Sequence, residues 1–206
     1  MNGEGRQSHW QNVYATKATT DVSWFQATPS VSLDLIRKVS GSSRPSVIDV
    51  GGGASHLVDH LLIDGYDDIA VLDLSETALS ATKLRLAVQE AKVEWIVADV
   101  TKWQPLRHYD IWHDRAAFHF LTEASDRTAY VQRLLTALRP GGHAIIATFA
   151  PDGPERCSGL PIVRYDAESL GGVLGGSLTL VETRRDDHQT PTGSVQRFQF
   201  STFRRE

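Results

Sequence analysis

Residues 47–55 read Val-Ile-Asp-Val-Gly-Gly-Gly-Ala-Ser, and this stretch decides the fold. Val47, Ile48 and Val50 form the β-branched run of a buried strand, which Gly51, Gly52 and Gly53 end in a turn. Glycines at that point let the chain bend tightly and let its backbone approach a ligand closely. Leu57, Val58, Leu61 and Leu62 then recur at helical spacing until Gly65, a good helix terminator. The unit is strand, glycine turn, helix, with the free N–H groups of the helix start facing the turn.

The same alternation continues outward. Strands are expected at residues 68–73, 93–98, 109–113 and 143–149. Ser75 is placed to cap a helix that runs to about Gln89. Val131, Leu134, Leu135 and Leu138 form an apolar helical stripe closed by Pro140-Gly141-Gly142. Upstream, Thr28 reads as an N-cap with Pro29 at the first helical position. Strands joined by helices of this length give right-handed crossovers and a parallel sheet covered on both faces. The last forty residues break the rhythm. Strand-like runs at 178–183 and 195–203 flank a polar stretch, residues 184–193, too short for a helical crossover, so an antiparallel hairpin ends the sheet.

The composition is that of one ordinary globular domain: 206 residues, 41 % hydrophobic and 22 % charged. A net charge of −4 without a Lys/Arg block argues against phosphate-driven nucleic-acid binding. The single cysteine, Cys157, excludes an intramolecular disulfide and a Cys-rich metal centre, and no metal site is expected. The N-terminal stretch lacks the apolar core of a signal peptide, and no apolar run is long enough to span a bilayer. A cytoplasmic protein is expected.

In an open parallel sheet, ligands bind beyond the carboxyl ends of the strands. Asp49 lies two residues before the first glycine, and His56 stands where a dinucleotide motif would carry its third glycine. An acid there repels a diphosphate and favours a cationic or zwitterionic ligand. Asp73 ends the second strand, 24 residues after Asp49, where a carboxylate can accept hydrogen bonds from both ribose hydroxyls. Asp99 ends the third strand and is placed for an adenine amine. Taken singly, Asp73 can also be a helix cap and Asp99 a solvated loop acid.

This ordered set resembles the class I S-adenosylmethionine-dependent methyltransferases over roughly residues 28–206. The resemblance implies a Rossmann-like α/β fold: a seven-stranded, mostly parallel sheet with a C-terminal antiparallel hairpin and helices on both faces. It implies S-adenosyl-L-methionine as cofactor, held by Asp49, Gly51, Gly52, Gly53, Asp73, Leu74, Asp99 and Val100. It further implies a helical cover over residues 1–44 and a catalytic core over residues 45–206, together one domain.

The run Tyr109-Asp-Ile-Trp-His-Asp-Arg-Ala, the later Leu-Arg-Pro-Gly-Gly and Gly153-Pro154 look like the thiopurine and thiol methyltransferase branch. That likeness implies a small-molecule acceptor, possible examples being thiols and other soft nucleophiles. His9, Trp10, Tyr14, Val22, Trp24 and Phe25 are equally similar to the cofactor-covering segments of small protein-lysine methyltransferases, so a lysine acceptor stays open. A catalytically silent cofactor-binding scaffold also stays open. The Asn/Asp-Pro-Pro-Tyr/Phe sequence of nucleic-acid amino-methyltransferases is missing.

Methyl transfer from a sulfonium is an in-line displacement that relies on alignment, with a base needed only for a protonated acceptor. Asp114 and His119 are the candidate catalytic residues, His119 as a base, although its place between Phe118 and Phe120 equally suits packing. Arg115 is a candidate partner for an anionic substrate, or else for Asp110 or Glu123. Residues 150–166 form a Pro/Gly-rich connection expected to close over the substrate. With Trp24 and Arg115, its Cys157 and Arg164 complete the expected acceptor side. The oligomeric state is not legible.

Overall fold

The computed structural model describes residues 3–206. Its main sheet has seven strands in the order β3-β2-β1-β4-β5-β9-β8. These are β1 (Val47–Val50), β2 (Ile69–Asp73), β3 (Val93–Val97), β4 (Tyr109–Arg115), β5 (Leu138–Phe149), β8 (Leu178–Gln189) and β9 (Val195–Arg205). The first five run parallel, and β9 and β8 add antiparallel at the edge. The chain order reverses between β1 and β4, which opens a crevice at their carboxyl ends. The expected Rossmann-like sheet and terminal hairpin are therefore present.

Side chains alternate between the two faces. Val47, Ile111 and Ile145 join one core, with Leu33, Leu35 and Ile36 of α2 (Ser30–Ser40) and Leu57, Val58 and Leu61 of α3 (Leu57–Ile63). Ile48, Trp112 and Ile146 join the other, with Tyr130 and Leu134 of α5 (Ala124–Ala137) and Leu170 and Leu174 of α6 (Ala167–Leu174). Helix α4 (Glu76–Leu86) starts at Ser75, whose side chain accepts the Ala78 N–H as expected.

Four local expectations need correction. Pro29 itself occupies the N-cap of α2, with no side-chain cap bond from Thr28. Helix α4 stops at Leu86 because Ala87 takes a φ of 52°, and a 3-10 turn covers Ala87–Lys92 instead of a helix reaching Gln89. Strand β5 already begins at Leu138, but its register with β4 jumps from Leu138 to His143, so Pro140-Gly141-Gly142 still marks an excursion. The polar stretch 184–193 is no loop: strand β8 continues to Gln189, and the turn is confined to residues 190–194. An edge strand keeps one face in water, so its charged residues suit a strand as well as a loop.

The N-terminal region carries α1 (Gly3–Thr16) and α2; residues 1 and 2 lie outside the described part. Among the described residues no helix is long and apolar enough to cross a membrane. A small hairpin of β6 (Arg156–Cys157) and β7 (Leu160–Pro161) lies within the connection after β5.

Candidate active site

A cleft of about 780 Å³ opens at the carboxyl ends of β1, β2 and β4. Gly51, Asp73, Leu74, Asp99 and Val100 line it from the sheet side. Helix α1 roofs it. Its Arg6 ion-pairs with Asp99 at 3.1 Å and with Asp126. Its Gln11 Oε1 accepts the Ser75 hydroxyl at 3.0 Å and the Thr77 N–H at 3.1 Å. Trp10 stacks edge-on against both Trp24 and Phe120. The β6–β7 loop closes the other side, where Ser158 Oγ lies 3.3 Å from His9 Nε2 and Cys157 faces the cleft.

The glycine turn is tight for identifiable reasons. Gly51 has a φ of 72°, and a Cβ on it would stand 2.7 Å from the Ala117 Cβ. A Cβ on Gly53 would lie 2.7 Å from Asp73 Oδ2. Across the turn Ala116 takes a φ of 71°, a conformation rare outside glycine and typical of constrained functional sites.

Asp73 Oδ1 accepts the Ser75 N–H at 2.7 Å. Burial, reinforced by the nearby Asp49 carboxylate, raises its pKa to about 7. Asp99 sits two residues beyond the end of β3 rather than ending it. Its Oδ1 accepts the Thr101 N–H and hydroxyl, and its Oδ2 accepts from Arg6. Burial works against the ionised form, yet these bonds together hold its pKa below the usual range.

A second lobe of about 550 Å³ adjoins the cleft and shares Gly51, Tyr14, Trp24 and Arg115 with it. Asp49, Gly52, Ser32 and His113 line this lobe. Sequence reading did not single out Ser32 or His113. His113 stands beside Asp49 in the register of β1 with β4, a signal visible only once the strands are aligned.

Arg115 reaches both lobes. Its Nη1 donates to the Trp24 carbonyl at 3.0 Å, and its guanidinium lies 4.7 Å from the Phe198 ring centre. Nε and Nη2 are withdrawn from water and have no hydrogen-bond partner among the described residues. Burial lowers its pKa to about 10, opposed by the field of Asp186, Cys157 and Asp49. Asp110, one partner considered from sequence, is instead bonded to Ser46 and Arg139.

Four expected site residues line neither the cleft nor its second lobe: Gly53, which packs against Asp73 and Ala78, and His119, Asp114 and Arg164. His119 is fully buried, and its Nδ1 accepts the Phe149 N–H at 3.3 Å. That bond leaves the ring proton on Nε2, and burial lowers the pKa to about 3. Of the two roles open to His119 in the sequence, this placement is the packing one, with the ring's lone pair engaged by the Phe149 N–H. Asp114 is also turned inward, accepting from the Tyr130 hydroxyl at 2.7 Å and from the Ala117 and Phe118 N–H groups. These bonds brace the turn that carries Ala117 against Gly51. Arg164 donates to the Gly153 carbonyl and pairs with Glu155 within its own loop.

Residues 47–142 match the family described as methyltransferase domain. The chain is 28 % identical over 109 residues to the trans-aconitate 2-methyltransferase of Azoarcus sp. (strain BH72), covering 53 % of this chain and 41 % of that relative. It thus spans less than half the length of that curated relative. The structure of the N-methyltransferase NodS from Bradyrhizobium japonicum WM9, in complex with S-adenosyl-L-homocysteine, superposes with a TM-score of 0.72 at 17 % identity, covering 100 % of this chain and 99 % of that one. The 1,6-didemethyltoxoflavin-N1-methyltransferase of Burkholderia thailandensis, with its namesake compound and S-adenosylhomocysteine bound, gives 0.72 at 18 % identity, covering 100 % and 91 %. At these identities the two structures speak for the fold.

Proposed function

We propose that this chain, whose residues 47–142 match a methyltransferase-domain family, is an S-adenosylmethionine-dependent enzyme that methylates a small-molecule acceptor. One observation carries the reading: a single roofed cleft gathers the Gly51 turn, Asp73 and Asp99 at the sheet's switch point. The residues present suit the cofactor. Gly51 leaves no room for its own Cβ but allows close backbone approach, Asp73 offers carboxylate acceptors for ribose hydroxyls, and Leu74, Ala98 and Val100 give apolar walls for a base. Asp49 and Gly52 border the lobe left for the amino-acid end, with Gly53 packed beneath Asp73.

When bound, S-adenosylmethionine supplies an electrophilic methyl group on a positively charged sulfur. The chain's own work is to hold, align and desolvate, and α1 with the β6–β7 loop encloses the cleft for that purpose. The enclosure favours a small acceptor over a lysine in a protein chain. Trp24, Arg115 and Cys157 form its acceptor side. With no free base among the described residues on its acceptor side, the cleft suits acceptors that give up their proton readily, among them the thiols implied by the thiopurine-branch resemblance. We place the enzyme in the cytoplasm.

Calorimetry with S-adenosylhomocysteine tests the cofactor. A labelled-methyl screen against thiols, carboxylates, amines and lysine peptides tests the acceptor. Cofactor binding without turnover on any of these classes would favour a silent scaffold.

A further inference from the structure

Resting on the methyltransferase reading, we propose that the acceptor is a small-molecule carboxylate, gripped by Arg115 and converted to its methyl ester without a general base. Two independent observations carry this.

The first is an unspent cation. A buried guanidinium normally finds a carboxylate or fills its donors with carbonyls, because unpaired N–H groups away from water are costly. Arg115 spends one nitrogen on the Trp24 carbonyl, while Nε and Nη2 are left without partners. None of the ion pairs formed by the described carboxylates includes it, although Asp186 contributes to the field around it. The side chain stands where the two lobes meet, beside Cys157 and Trp24. A planar fork with free donors matches a carboxylate better than a thiol, which offers one weakly accepting sulfur.

The second is that, among the described residues, the groups around the acceptor side of the cleft are all engaged or held protonated. Asp99 is tied to Arg6 and Thr101, and His113 has both ring nitrogens engaged, one by Asp49 at 2.7 Å and the other by the Ser32 hydroxyl at 2.9 Å. Burial keeps the Cys157 thiol protonated, with its pKa pushed up to about 12, and pushes Tyr14 up as well. Asp73 belongs to the ribose end. An amine, an alcohol or an amide would need a proton removed, whereas a carboxylate near pKa 4 arrives ionised. Its oxygen lone pair forms the new O–CH3 bond as the S–CH3 bond breaks, that bonding pair stays on sulfur, and no proton changes hands. The positive and negative charges are consumed together.

The cofactor carries a carboxylate of its own, so the test separates the two sources. Protein saturated with S-adenosylhomocysteine is titrated calorimetrically with trans-aconitate, succinate and phenylacetate and with their neutral amides. Binding of at least one acid, and not of its amide, is expected. Arg115→Gln should weaken that binding roughly thirtyfold to a thousandfold, with Arg115→Lys between, while S-adenosylhomocysteine affinity stays unchanged. With labelled cofactor, the wild-type product should release volatile methanol in alkali, as a methyl ester does and a thioether does not. This last readout needs no variant to fold.

Acids that fail to bind, or bind equally well to Arg115→Gln, would overturn the proposal. So would label found only on thiols or amines, which would leave the methyltransferase reading standing. A loss of S-adenosylhomocysteine affinity in Arg115→Gln would also overturn it, assigning the guanidinium to the cofactor's own carboxylate. Failure of wild-type protein to bind S-adenosylhomocysteine would remove both readings.

Discussion

Asp49 and His113 stand opposite each other on β1 and β4, and His113 Nδ1 donates to Asp49 Oδ1 at 2.7 Å. Ser32 Oγ, brought in by α2, lies 2.9 Å from the other ring nitrogen. The same carboxylate limits the glycine turn, since a Cβ on Gly52 would fall 2.5 Å from Asp49 Oδ2. A buried pair at the topological switch thus sets the floor of the candidate cofactor site.

Removing one member of this pair should cost more than removing both. His113→Leu strands a buried carboxylate and should destabilise the fold by about 2–4 kcal/mol. Adding Asp49→Asn to that variant should recover part of the loss. Urea unfolding of the two single variants and the double variant measures the coupling, and strict additivity would show the contact to be idle.

Asp73 should make cofactor binding pH-dependent. Its pKa is raised to about 7, and the ionised form is the better acceptor for ribose hydroxyls. Wild-type affinity for S-adenosylhomocysteine should therefore tighten as pH rises through about 7. Asp73→Ala should lose roughly tenfold to a hundredfold in affinity and the pH step with it. The stability linkage has the opposite sense. A raised carboxyl pKa gives stability present below the unfolded value of 3.8 and lost as pH rises through about 7. Thermal melts of Asp73→Asn against wild type across that window should show it.

Gly51→Val should abolish cofactor binding. The position has a φ of 72°, and the first added carbon would already meet Ala117 at 2.7 Å. Strain of about 1–3 kcal/mol joins a steric block at the cleft wall. Calorimetry on folded variant protein, checked by circular dichroism, measures it; near-normal affinity would mean the ligand does not pass this turn.

His119 should matter for stability rather than for turnover. A general base would cost roughly 10²–10⁴-fold when removed. His119→Gln should instead keep its rate per folded molecule and melt at a lower temperature. Burial holds the His119 pKa down at about 3, so its contribution is full above the unfolded value of 6.5 and is lost as pH falls towards about 3. The variant's stability should decline less steeply than the wild type's over that range. Asp73 and Asp114 act in the opposite sense, which makes the comparison between the two proteins the informative quantity.

The sequence by itself determined the strand–glycine–helix unit, the parallel pairing implied by helical crossovers and the closing hairpin, because each follows from local periodicity and backbone freedom. It also located Gly51, Asp73, Leu74, Asp99 and Val100, since residues at strand ends meet at one crevice in any parallel sheet. Only the tertiary structure decided which way side chains near β4 point. Asp114, Arg115 and His119 lie within six residues, yet one braces a turn, one reaches the cleft and one packs against Phe149. The left-handed turn at Ala116 and the 3-10 turn at Phe118–Phe120 separate them, and neither leaves a mark in apolar spacing. The partnership of Asp49 with His113 joins residues 64 positions apart, and that of Arg6 with Asp99 residues 93 apart. Such contacts come from strand register and helix docking, which local pattern does not encode.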